Sequence, residues 1–184
     1  MSRAYSDHFD PTGAVSALSG TTTFDKTLKV SAGIAHARER VKIAHATVGT
    51  AGMTSGDELR LMRFKSTDRI IKLYYASAGA STTYAANLGL YLPGTAGDGA
   101  VVDADLFGNA LALASGAALT EAFAESTVLA DEDRGKTLWE LAAVGAATYT
   151  EDPKTDFDLV LTSTATGTGA PEVLVVIAEY TSGD

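Results

Sequence analysis

The chain has 184 residues, 46% of them apolar and 20% charged, with a net charge of −9 and no cysteine. Such a composition predicts one folded, well-cored domain with room for an arm, and it excludes wholesale disorder, disulfide frameworks, thiolate metal sites and thiol nucleophiles. No run of about 18 apolar residues occurs, so no spanning helix is expected, and "MSRAYSDHFDPTGAV" lacks the basic-then-apolar order of a secretory signal, so synthesis without export is expected.

Residues 1–36 come first and differ from the rest. "SDHFDPTGAVSALSGTTTFDKTLKVSAGIAH" is rich in Ser, Thr, Gly and Ala and sustains no apolar period. It reads as an extended arm with one short strand around "TLKVS", followed by a folded domain over residues 37–184. "RVKIAHATV" then alternates weakly. "DELRLMRFKSTDRIIKLYYASA" contains two strand-like runs around "KSTD", whose Ser, Thr and Asp favour a turn. Strict alternation puts Arg60, Met62 and Phe64 on one face of the first run. It puts Ile71, Leu73 and Tyr75 on one face of the second. Neither run has a cleanly polar side, so both are expected to be covered in part on both faces.

"TYAANLGLYLPG" is the clearest strand, with Tyr84, Ala86, Leu88, Leu90 and Leu92 on one side. Pro93-Gly94 ends it and "GTAGDG" follows as a loop. In "DADLFGNALALAS", Asp103 suits the N-cap of one helical turn before a return to strand. "GAALTEAFAES" fits helix and non-helix equally, and "VLADEDRG" is an acidic loop. "TLWELAAVG" predicts a short helix: Thr137 and Glu140 form a capping box, Leu138, Leu141 and Ala142 share a face, and Gly145 stops it. Two turns are unstable alone, so the apolar face must dock, and Trp139 is the largest side chain available to secure it as a plug. "FDLVLTSTA" and "EVLVVIAEYT" close the chain as two strands joined by "TGTGAP", the last apolar on both faces as in a strand buried mid-sheet. Seven or eight short strands predict an all-β fold, a single β-sandwich with one or two short helices.

Charge and motifs narrow the function. Residues 1–75 carry a net +4 and residues 76–184 a net −13. The acidic part repels nucleic acid and the basic excess is too dilute to release many phosphate counterions, so neither nucleic acid nor membrane is an expected partner. The histidines His8, His36 and His45 lack helical ligand spacing. There is no G-x-S-x-G, and "GTAGDG" lacks the Lys-Ser/Thr of a P-loop. Asp98, Asp103 and Asp105, and Asp131, Glu132 and Asp133, are clustered carboxylates without EF-hand spacing. They read as solvated loops, with a Ca²⁺ site as the alternative. Tyr74 and Tyr75 have only Lys72 as a basic neighbour and read as core. No catalysis, cofactor or metal is expected.

The order "GDELRLMRFKSTDRIIKLYYASAGASTTYAANLGLYLPG", "DADLFGNALALAS", "GKTLWELAAVG", "FDLVLTST" and "GAPEVLVVIAEYTSGD" resembles small tailed-phage head proteins encoded beside the major capsid protein. Such proteins resemble capsid decoration or cement proteins. The resemblance covers roughly residues 56–182, includes a first hairpin "GDELRLMRF…DRIIKLYY", and leaves the arm out. It implies a jelly-roll-like sandwich, commonly a trimer, on the outer capsid surface of a virion, with the major capsid protein as partner and no catalytic residues. On that basis the arm would anchor through Phe9, Val15, Leu18, Phe24, Leu28 and Val30, with Lys26, Lys29, Arg38 and Arg40 meeting acidic capsid groups. Two alternatives stand beside it. The arm residues could complete the sandwich's own sheet, and the domain could instead be a carbohydrate- or receptor-binding sandwich using Asp98–Asp105 or Trp139.

Overall fold

Two four-stranded antiparallel sheets account for most of the residues described by the computed structural model, which are 39–48, 54–79, 83–94, 99–114, 116–145, 149–165 and 172–183. In chain order the elements are β1 (Glu39–Val48), β2 (Glu58–Lys65), β3 (Arg69–Ala78), β4 (Ala85–Tyr91), β5 (Val101–Ala112), β6 (Thr120–Glu121), α1 (Leu138–Val144), β7 (Asp156–Ser163) and β8 (Glu172–Thr181). Short 3-10 turns fill Ala122–Glu125 and Asp131–Asp133. The first sheet runs β1-β8-β3-β6 and the second β2-β7-β4-β5. Eight strands in two such sheets, with the chain stepping between sheets at every link but the β4–β5 hairpin, make a jelly roll. The all-β sandwich expected from the alternating runs is the fold observed.

The turn at "KSTD" forms, but what it joins is not a hairpin. β2 pairs with β7, and β3 pairs with β8 and β6, so the chain crosses from one sheet to the other between Lys65 and Arg69. The Asp68 carboxylate holds the crossing, accepting from the Lys65 N–H at 3.0 Å and the Gly183 N–H at 3.1 Å. The last two strands likewise lie in different sheets, because β8 sits between β1 and β3 while β7 sits between β2 and β4.

Bulges change which residues face inward. A register shift between Arg60 and Met62 in β2, and another between Ile70 and Lys72 in β3, each insert one residue. In β3 the result is that Ile70 joins Leu73 and Tyr75 in the core, while Ile71 does not. Asp103 does not cap a helix: it lies within β5, opposite Leu90. Its carboxylate does accept the Asp105 N–H, at 3.2 Å, as a cap would. Strand pairing prevails because Leu106 and Phe107, both buried, fill the space between the sheets. That pairing is close, since a Cβ on Gly89 would stand 2.1 Å from the Asp103 carbonyl oxygen.

The core lies between the sheets, where Phe64, Leu73, Leu88, Leu90, Leu106, Phe157, Leu159, Leu161, Leu174 and Val176 are buried together. Phe64 meets Tyr180 edge-on at 5.1 Å, and Phe107 meets Phe123 at 5.4 Å. β8 is central in its sheet, as its apolar run predicts. The strand buried on both faces, however, is β7, from Phe157 to Leu161.

Candidate functional site

The two outer faces of the sandwich differ in chemistry. On the β2-β7-β4-β5 sheet, the bulge in β2 brings Arg60 and Arg63, three positions apart, to the same carboxylate. Asp158, only 4% exposed, accepts from Arg60 Nη1 at 3.0 Å, from Arg63 Nε at 2.6 Å and from Arg63 Nη2 at 3.0 Å. The hydrogen bonds from Arg63 lead in holding the Asp158 carboxyl below the usual carboxylate range, against its burial, and Arg60 adds to them. Arg60 also donates to the carbonyls of Leu92 at 3.1 Å and Gly99 at 2.9 Å, and lies 5.5 Å from the Tyr91 ring. Tyr91 and Thr162 share a 2.7 Å hydroxyl contact. Val160, between these groups on β7, is fully buried. On this face the polar groups of β2 and β7 hold one another, while Val101 on β5, beside Tyr91, is exposed.

The β1-β8-β3-β6 sheet has no such cover among the described residues. Cross-strand register sets its outward side chains in rows. Ile43 stands beside Ile177, which stands beside Tyr74; His45 is beside Val175, then Ala76; Val41 is beside Glu179, then Lys72. Val41 is 58% exposed, Ile43 56% and Val173 43%. The charged pair, Lys72 Nζ to Glu179 Oε2 at 3.5 Å, sits at one end. β1 is the edge of this sheet. Lys42, on its inward side, lies 4.2 Å from the Phe64 ring and 5.0 Å from the Tyr180 ring, and its ammonium donates to the Arg63 carbonyl of β2. The amphipathic stem thus spans the gap between the two sheets at their β1/β2 flank.

The helix α1 docks through its backbone as well as its apolar face. The Leu138 and Trp139 N–H groups, unsatisfied within any helix N-terminus, donate to the Asp68 and Ser66 carbonyls at 2.9 and 3.1 Å. Glu140 accepts the Thr137 N–H at 2.7 Å and its hydroxyl at 2.6 Å. Leu138, Leu141 and Ala142 are fully buried, whereas Trp139 packs against the core only in part. The indole is therefore a partial cover over a plug whose fully buried part is those three residues.

No group of three or more His, Asp or Glu is placed to hold a metal among the described residues. Asp133 is buried as a turn clasp, accepting the Ala130 N–H at 2.8 Å and Lys136 at 2.6 Å. Burial, with Asp105 beside it, raises the Asp103 carboxyl above its ordinary value. His45 is exposed on β1. The hollow lined by residues 149–154 is one surface turn, and no helix described is long and apolar enough to cross a membrane.

Of the residues singled out in the sequence, Arg40 is exposed near the start of β1, and Thr137, Trp139 and Glu140 are at α1. Phe9, Val15, Leu18, Phe24, Lys26, Leu28, Lys29, Val30 and Arg38 lie outside the described residues, as do His8, His36 and Asp98. Sequence reasoning passed over Asp158 and its two arginines, although an aspartate inside "FDLVL" is a signal that a buried partner must exist.

The fold is shared with a known capsid component. One chain of the capsid of Ralstonia phage GP4 aligns over 80% of this chain and 86% of its own length, at a TM-score of 0.54 and 11% identity. A chain of the cyanophage Pam1 capsid asymmetric unit aligns over 92% and 98%, at a TM-score of 0.45 and 13% identity. At these identities the likeness is one of fold, and the argument for it rests on the first of the two. No family model and no curated protein matches the sequence.

Proposed function

We propose that this chain is a non-enzymatic structural protein of a tailed-phage virion, which decorates the capsid by binding the outer surface of the major capsid protein shell. The observation that carries this reading is the pairing of a jelly roll like that of a GP4 capsid chain with a sheet face left apolar and exposed. The fold alone does not decide it, since jelly rolls also serve in lectins. Where ionisable groups do converge, at Asp158, both arginines are engaged in holding the carboxylate, which favours surface complementarity over catalysis.

In this reading three copies associate around a symmetry axis of the shell. The arm spreads over neighbouring subunits, with Phe9, Val15, Leu18, Phe24, Leu28 and Val30 as apolar anchors. Lys26, Lys29, Arg38 and Arg40 meet acidic groups. Each contact is weak, and repetition on a lattice raises the effective concentration of the rest. The test is addition of the purified chain to empty shells of its cognate capsid protein, with and without residues 1–35. The full chain is expected to co-sediment with shells and the truncation to remain soluble and folded in the supernatant. Binding by the truncation equal to that of the full chain dismisses the arm.

A further inference from the structure

We infer that the outward face of the β1-β8-β3-β6 sheet is the surface that seats the domain on the shell, opposite an apolar, net-neutral patch of the capsid protein. This rests on the reading of the chain as a shell-binding protein and adds which side of the sandwich faces down.

The contrast between the two faces is the first ground. Sheets in water alternate apolar-in with polar-out. On the β2-β7-β4-β5 sheet Val160 is fully buried beside Arg60 and the Arg60–Asp158–Arg63 lattice, and Val101 alone among its described large apolar residues is exposed. The other sheet turns Val41, Ile43, Val173, Val175, Ile177 and Tyr74 outward instead. Three strands about 4.8 Å apart, followed over six residues of about 3.4 Å rise, give a patch on the order of 300 Å². That is within the size of the largest apolar patch on a typical monomer, which is often functional.

Charge is the second ground. The chain carries −9 overall, yet the acidic groups in the rows of this face are paired, Glu179 with Lys72 and Glu121, beside Tyr74 on β6, with Arg134. A shell surface can approach here without meeting the acidic excess found elsewhere. The third ground is where the rest of the chain begins. The 38 residues preceding Glu39 run directly into β1, the strand that borders the face. The preceding chain therefore enters the domain at the margin of this surface. A standard interface needs about 800 Å² per partner. The face alone supplies less than half of that, so it holds weakly without the arm.

The chain contains no cysteine, so single thiols make clean probes. Full-length Ile43→Cys and Val173→Cys should react rapidly with a maleimide in the free protein and at least about tenfold more slowly on shells, with Asn109→Cys on β5 equally reactive in both states. In parallel, the double variant Ile43→Glu/Val173→Glu should keep wild-type circular dichroism and sedimentation while binding shells at least about tenfold more weakly, because seating it buries two unpaired charges. Undiminished binding by the folded double variant, or labelling at both sites unchanged on shells, overturns the inference. So does slow labelling in a free monomer, which assigns the face to the chain's own arm. A change in free oligomeric mass caused by the two glutamates also overturns it, by assigning the face to a second copy. Failure of the wild-type chain itself to add to shells is a separate result: it removes the shell-binding reading on which the inference stands.

Discussion

At Asp158 two guanidinium groups from one strand reach one carboxylate, and they can do so because an extra residue in β2 changes the phase between them. Asp158→Asn keeps the shape and removes the charge, leaving Arg60 partly buried beside a neutral amide. The expected loss is about 2–3 kcal/mol of unfolding free energy, measured by urea titration at pH 7. Asp158, Asp133 and Glu140 all have carboxyls held below their ordinary values. Arg63 leads for Asp158 and Lys136 for Asp133. At Glu140 burial pushes upward, and the Thr137 hydrogen bonds, with Arg69 and Lys136, outweigh it. A depressed native pKa stabilises the fold above the unfolded value and loses that contribution as pH falls through the native one. Stability is therefore expected to be level near neutrality and to decline below about pH 4, with a shallower decline in Asp158→Asn. Asp103 has the opposite sign: its raised carboxyl costs stability when ionised, so Asp103→Asn is expected to raise the midpoint at pH 7 and to leave it unchanged in acid. The alternation of strands was legible residue by residue. The inward and outward assignments within β2 and β3 were not, because a bulge answers to the strand opposite and leaves no mark in local periodicity.

Among the elements, α1 was the most legible, since a capping box, an apolar face and a terminal glycine agree on it. Its energetics distribute differently from what residue size suggests. Leu141→Ala should cost about 2–5 kcal/mol by emptying a buried site. Trp139→Phe should cost less than Leu141→Ala in the same denaturation assay, because the ring is only partly covered. Glu140→Ala removes the acceptor of the Thr137 N–H and should cost about 1 kcal/mol. Gly89→Ala is the severe case in the sheets: a Cβ would overlap the β5 backbone, so the β4–β5 ladder must open. Soluble yield and melting midpoint should both fall sharply. The β2–β3 link was misread as a hairpin for a physical reason. A tight polar turn between two apolar runs specifies a reversal of direction, and a reversal within a sheet looks the same in sequence as a step between two sheets.

For the whole molecule, the sandwich class followed from strand number and spacing, while the partition into two sheets followed from nothing local. What carries the functional reading is likewise global, a jelly roll with one sheet that turns a group of apolar side chains outward. It was invisible beforehand because Val173, Val175 and Ile177 read equally well as core. The proposed association is checked by sedimentation equilibrium of the full chain, where a mass of three copies is expected. The carbohydrate alternative has its own readout in the single tryptophan: its emission should not change on titration with oligosaccharides, and saturable quenching would favour a sugar site near α1.

The pairing of β1 with β8 joins the first described strand to the last. A ribosome releases β1 long before β8 exists, so this sheet cannot close until β8 has been made. Contacts of such sequence separation also make for slow folding, in milliseconds to seconds. The surface proposed to meet the shell is built from both strands. Chains that stop short of β8 therefore lack that surface.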